Sequence, residues 1–147
     1  MIREAVQEDR ASFLAMAEEF YSSKAVAHNI DSRLIEATFD AALSKPHLVR
    51  VFIIENGMTP AGFAIVSFSY ATEVGGLVVI LEDLYIGNSC RGMGLGSEFM
   101  LFLEQEYQTA KRFRLEVRKE NVKAIELYSR LGYSLLEYVQ MVKDIDF

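Results

Sequence analysis

The residues best suited to chemistry lie in "LEDLYIGNSCRGMGLGSE", positions 81–98. A very apolar run carries two adjacent acids, Glu82 and Asp83, and then opens into glycines at alternate positions, Gly92, Gly94 and Gly96. An extended segment, a glycine loop and a helix start are the parts of an anion site. Amides at a helix start lack partners, the helix dipole adds partial positive charge, and glycines let a phosphate approach the backbone. Arg91 adds a fixed charge and Ser97 a hydroxyl, more than a plain strand–helix turn needs. Strand alternation puts Glu82 on one face with Ile80, Leu84 and Ile86, and Asp83 on the other with Leu81 and Tyr85. An acid in so apolar a strand is desolvated, which raises its pKa toward values useful to a base. Glu82 is the candidate base; the alternative is that either acid pairs with an arginine or holds a substrate ammonium.

Two phosphate motifs fit poorly. No lysine follows the glycines, as G-x-x-x-x-G-K-[ST] requires, and Ser97 stands where G-x-G-x-x-G requires its third glycine. Glu116 does lie on the following strand, where a ribose-binding acid sits in dinucleotide sites. A dinucleotide fold, however, continues with further parallel strands.

The elements that must position these residues follow from periodicity. Residues 2–6 read as a strand. Phe13, Met16, Ala17 and Phe20 recur at helical spacing between Ser12 and Tyr21. After a polar break at 22–30, Asp31 or Ser32 caps a helix carrying Leu34, Ile35, Thr38, Phe39, Ala42 and Leu43, which Pro46 ends. Strands follow at 49–55, 63–71 and 77–86, joined by turns at Asn56-Gly57 and Gly75-Gly76 as an antiparallel meander. Leu95, Phe99, Phe102, Leu103 and Ala110 mark the helix after the glycine loop, and residues 112–117 alternate as a strand. Asn121 caps a further helix that Gly132 ends. "YSLLEYVQMVKDI" (133–145) has the content of one bent or two short strands. The order implies an α/β (α+β) sheet, mixed but mainly antiparallel, with one parallel crossover around the glycine loop.

Composition narrows the class. At 147 residues the chain is read as a single domain, 1–147. Lys+Arg of 15 against Asp+Glu of 21 gives a net charge of −6, which argues against a nucleic-acid binder and suits a cationic small substrate. No apolar run approaches the ~20 residues of a membrane span, and the start has no signal-peptide core. One cysteine, Cys90, excludes an internal disulfide, and His28 and His47 are not at metal-ligand spacing. These features lead us to expect a cytoplasmic protein without membrane, nucleic-acid or metal partners.

Arg91, Gly94 and Gly96 form R-x-x-G-x-G, and Asn121 precedes Tyr128 by seven residues ahead of "RLGY". This combination resembles the GCN5-related N-acetyltransferase (GNAT) family, and the element order matches throughout. "LEDLYI" is similar, more weakly, to the spermidine/spermine-type amine acetyltransferases. The resemblance implies a central sheet of about six to seven strands flanked by about four helices. It implies acetyl-CoA as cosubstrate, with its pyrophosphate on the amides of Arg91, Gly92, Met93, Gly94, Leu95, Gly96 and Ser97. The pantetheine arm would pair with Leu84, Tyr85 and Ile86, and Asn121 would contact the arm.

Acetyl transfer to an amine needs a proton acceptor, a donor to the oxyanion and an acid for the thiolate. The resemblance assigns the first to Glu82, directly or through water, and the last to Tyr128, which is otherwise a core tyrosine. It places the acceptor amine near Tyr21, Asp31, Glu82 and Asp83. The implied activity is direct acetyl transfer in a ternary complex to a small primary amine: a polyamine, diamine or lysine-like compound. Peptide or protein amines, an aminoglycoside, or acyl-CoA binding without catalysis are the alternatives. The implied assembly is a homodimer.

Overall fold

A computed structural model describes residues 1–145. Five strands form one sheet in the order β1-β2-β3-β4-β5: Ile2–Glu4, Val49–Asn56, Thr59–Ala71, Gly76–Ile86 and Arg112–Leu115. The first four run antiparallel, and β5 joins β4 in parallel. Four α-helices, α1 (Arg10–Tyr21), α2 (Ser32–Ser44), α3 (Leu95–Glu106) and α4 (Val122–Arg130), complete the fold. The mixed, mainly antiparallel sheet with one crossover through α3 is the architecture the sequence implies.

The two faces of the sheet bury separate cores. Phe13, Phe20 and Tyr21 of α1 and Ile35 and Phe39 of α2 pack on Val51, Ile53, Phe63, Ile65 and Tyr85. Opposite, Leu95, Phe99, Met100 and Leu103 of α3 cover Phe52, Ile54, Ala64, Val66, Val79 and Leu81. Alternating strand residues thus feed both layers, each full-sized apolar side chain contributing roughly 1.5–3 kcal/mol when buried. Local chemistry sets the helix ends. Asp31 caps α2 by accepting from the Arg33 amide at 2.8 Å, and Asn121 caps α4 by accepting from Ala124 at 3.3 Å. Gly132 takes φ +93° just past α4.

Two expectations are corrected. Residues 133–145 form no strand, so the described sheet has five strands and not six or seven. A strand needs a neighbour for its amides and carbonyls. Tyr133 packs on the α3 core and its amide donates to the Tyr128 carbonyl at 3.0 Å, but beyond it the described segment is held mainly by the Tyr138 hydroxyl, which donates to Glu73 at 2.8 Å. Leu135, Val139, Met141 and Val142 are almost wholly exposed.

The second correction concerns the two acids. In the β3–β4 register Ile65 faces Asp83 and Val66 faces Leu81, leaving Glu82 as an extra residue in a β-bulge. Before the bulge Val79 and Leu81 join the α3 core; after it Leu84 and Ile86 do, and Tyr85 joins the α1/α2 core. The alternation therefore skips a beat at Glu82. Both acids turn to the α1/α2 face, where strict alternation would separate them.

Candidate active site

The sheet opens where the acids stand. Parallel pairing of β4 with β5 ends at Leu81 and Leu115. Past that point the chains diverge around a cleft of about 340 Å³ lined by Leu81–Leu84, residues 115–118, Asn121, Ala124 and Tyr128. The β4 edge from Glu82 to Ile86 thus has no β5 partner, and its outward backbone groups short of the Ile86 carbonyl are open to an extended ligand. On its other edge β4 stays tightly held by β3. A Cβ built on Gly62 would lie 2.1 Å from the Tyr85 carbonyl oxygen, so any side chain there forces the two strands apart.

Arg91 Nε donates to the Ile86 carbonyl at 2.9 Å and anchors the start of the glycine loop to the end of β4. Gly94, at φ +80°, is the left-handed N-cap of α3 and has no side chain with which to cap it. The Glu98 amide makes the first helical bond, to the Gly94 carbonyl at 2.9 Å. The amides of Leu95, Gly96 and Ser97 precede it and have no helical partner. Gly96 faces α4, where a Cβ would make ordinary contact with Leu127 at 3.4 Å. Met93 is exposed, and Cys90 lies within 3.9 Å of the Asn56 amide nitrogen.

Asp83 accepts from the Tyr21 hydroxyl at 2.5 Å, and Glu82 accepts from the Ser67 hydroxyl at 2.5 Å. Burial is the main force on the Asp83 carboxyl and raises its pKa; the neighbouring Glu82 charge adds to this, while the Tyr21 bond opposes it. The desolvated acid of the pair is therefore Asp83, whereas Glu82 is exposed. Tyr21 is pushed far above the usual phenol value by burial and by Asp83, so it stays a neutral donor. Burial alone pushes Tyr128 up to about 12.

Of the sequence-predicted acceptor residues, Tyr21, Glu82 and Asp83 meet. Asp31 does not join them. Its carboxylate caps α2 and forms a salt bridge with Arg33 at 2.8 Å, and it lines neither cavity beside the acids. Two contributors escaped the sequence reading. Ser67 meets Glu82 only through strand register. Arg118 donates to the carbonyls of Lys24 at 2.9 Å and Val26 at 3.2 Å, fastening the α1–α2 loop over the cleft. No local pattern signals either residue.

The sheet thus splays beside a glycine-initiated helix whose first amides are free of helical partners. Residues 11–133 match the acetyltransferase (GNAT) family, and the chain belongs to that family. It is thereby an acetyl-CoA-dependent N-acetyltransferase. It is 28% identical over 140 residues to thialysine N-ε-acetyltransferase of Mus musculus, spanning 89% of this chain and 82% of that one. A possible acetyltransferase from Clostridium difficile 630 shares the fold at TM-score 0.85 and 15% identity, over 100% of this chain and 98% of that one. So does AAC(6')-Iy in complex with a CoA bisubstrate analog, at TM-score 0.80 and 16% identity, over 99% and 98%. Among the described residues no group of His, Cys, Asp and Glu is arranged to hold a metal, and no helix is long and apolar enough to cross a membrane.

Proposed function

We propose that the chain is one catalytic domain, 1–147, that acetylates a small primary amine in a cytoplasmic compartment. The observation that carries this reading is the juxtaposition at the β4–β5 divergence. Two carboxylates, an unpaired strand edge and Tyr128 border the same cleft, with free helix-start amides beyond the end of β4. The fit to acetyl-CoA rests on those groups. Amides of residues 91–97, with Arg91 and Ser97, suit a diphosphate; Leu84, Tyr85 and Ile86 suit the amides of an extended arm, with Asn121 beside it. When bound, acetyl-CoA supplies an acetyl group as a thioester.

The chain's own residues then handle protons and orientation. The amine enters as an ammonium beside Glu82 and Asp83. Glu82, open to water, takes its proton; Asp83, fixed by Tyr21, holds the cation in place. The amine nitrogen forms a bond to the acetyl carbon as the carbon–sulfur bond breaks, and the nitrogen sheds its second proton to water. Tyr128, protonated across the working range, donates to the departing sulfur and regains a proton from water. The free β4 edge around Leu84–Tyr85 offers amide hydrogen bonding to the carbonyl oxygen. In net terms an ammonium and a thioester become an amide, a thiol and a proton.

Ligand-dependent unfolding tests the reading. Acetyl-CoA at about 100-fold over its Kd should stabilise the chain by about 2.7 kcal/mol, with NAD and ATP giving no comparable effect. Gly94→Val should abolish most of that stabilisation, because a β-branched residue resists positive φ and displaces the first amides of α3. Stabilisation by NAD and not acetyl-CoA, or an unaltered response in Gly94→Val, would remove the loop assignment.

We read the assembly as a homodimer. The exposed apolar side chains of Leu135, Val139, Met141 and Val142, beside a sheet whose β5 edge is unpaired, support this. Sedimentation equilibrium should give twice the chain mass; a monomer would refute it.

A further inference from the structure

We propose that the acceptor is a primary monoamine with an apolar tail, and not a diamine or polyamine. This rests on the reading that Glu82 and Asp83 form the amine end of the site, and it specifies what lies beyond them.

A second cavity, about 420 Å³, opens from the same two acids on the α1/α2 face. That is within the range of small-ligand pockets. Its walls include Phe13, Tyr21, Ile35 and Ile65, all buried, and its rim includes Ile30, Leu34 and Leu48, which are 40%, 38% and 54% exposed. An apolar rim beside an apolar hollow is surface that an apolar ligand would remove from water.

The polar groups in this cavity are already directed. Tyr21 donates to Asp83, Ser67 donates to Glu82, and Thr38 donates to the Leu34 carbonyl. What remains is acceptor capacity on the two carboxylates, a pole for one cation. No lysine or arginine lines the cavity to oppose it.

A diamine needs a second anion at the far end. The acids of α2 and its cap are engaged with arginines: Asp31 with Arg33, and Glu36 and Asp40 with Arg10. None of the three lines the cavity. A second ammonium placed among Leu34, Ile35 and Leu48 would lose its hydration without a partner. An alkyl or aryl tail in the same place loses nothing and buries apolar area.

The test compares n-hexylamine, 1,6-diaminohexane and spermidine in two readouts. One is acetyl-CoA-dependent thiol release; the other is calorimetric binding of each amine to the protein saturated with CoA. We expect n-hexylamine to exceed 1,6-diaminohexane by about tenfold or more in kcat/KM and in affinity. Leu34→Glu, which adds an acid at the exposed rim, should narrow or invert that gap. Equal or better use of 1,6-diaminohexane or spermidine by the wild-type chain overturns the proposal, as does binding without selectivity. Selective n-hexylamine binding with no thiol release from any amine supports this pocket assignment and instead defeats the acetyltransfer reading. Thiol release that favours polyamines does the reverse.

Discussion

Tyr128→Phe should lower kcat by about 10²-fold while leaving the dissociation constant for acetyl-CoA nearly unchanged. The substitution removes one oxygen and keeps the ring, which packs beside Tyr133 at 5.9 Å between centroids. Cofactor affinity should survive because the diphosphate is assigned to backbone amides at the α3 start and not to the phenol. Stopped-flow or steady-state thiol release, paired with calorimetry for acetyl-CoA, separates the two effects. Equal loss in both measurements would make Tyr128 a packing residue and end its assignment as the acid. The wild-type enzyme should show no decline from phenol ionisation until pH nears about 12, the value to which burial pushes this group. A thiolate leaving group with a pKa near ~8.5 can accept a hydrogen bond from a phenol that stays protonated as the carbon–sulfur bond breaks.

The second large effect should come from the acids, and it should differ between them. Glu82→Gln should lower kcat/KM by about 10²-fold by removing the proton acceptor while keeping the Ser67 contact possible. Asp83→Asn should weaken amine binding mainly, raising KM more than it lowers kcat. The pH behaviour follows from burial. Asp83 ionises above its ordinary value, so the anion assigned to the ammonium forms later as pH rises, and on that assignment kcat/KM should climb through the raised pKa.

Stability moves the other way. Because the folded-state pKa is raised, the folded chain binds the Asp83 proton more tightly than the unfolded chain. This favours folding below the ordinary carboxylate range, and the advantage is lost as pH rises through the raised value. Asp83→Asn should therefore be at least as stable as the wild type at neutral pH, though less active. Urea titrations at pH 4 and pH 7 would check the sign. A variant markedly less stable at pH 7 would mean that the Tyr21 bond, and not desolvation, governs this carboxyl. Such a trade of stability for function is common where a charge is buried for binding.

The parts legible in the sequence were those set by neighbours along the chain. The glycine loop marks the start of α3, Asn121 caps α4 through its own Ala124 amide, and Asp31 caps α2 through Arg33. The strand–loop–helix order was legible as well, because each component acts over a few residues. The same local logic misled at the acids: a period of two assigns Glu82 and Asp83 to opposite faces, and the sequence alone contains no mark of the bulge.

What only the tertiary structure decided depends on register between distant strands. Pairing of β3 with β4 skips Glu82 and turns both carboxylates toward α1 and α2, where Ser67 and Tyr21 meet them from positions 15 and 62 residues away. Asp31 goes to an arginine, and residues 133–145 remain without the strand neighbour their composition anticipates. Sequence fixes what a few adjacent residues can do with their own backbone. Which charge is desolvated, and beside which apolar hollow, is set by the layers that close over it.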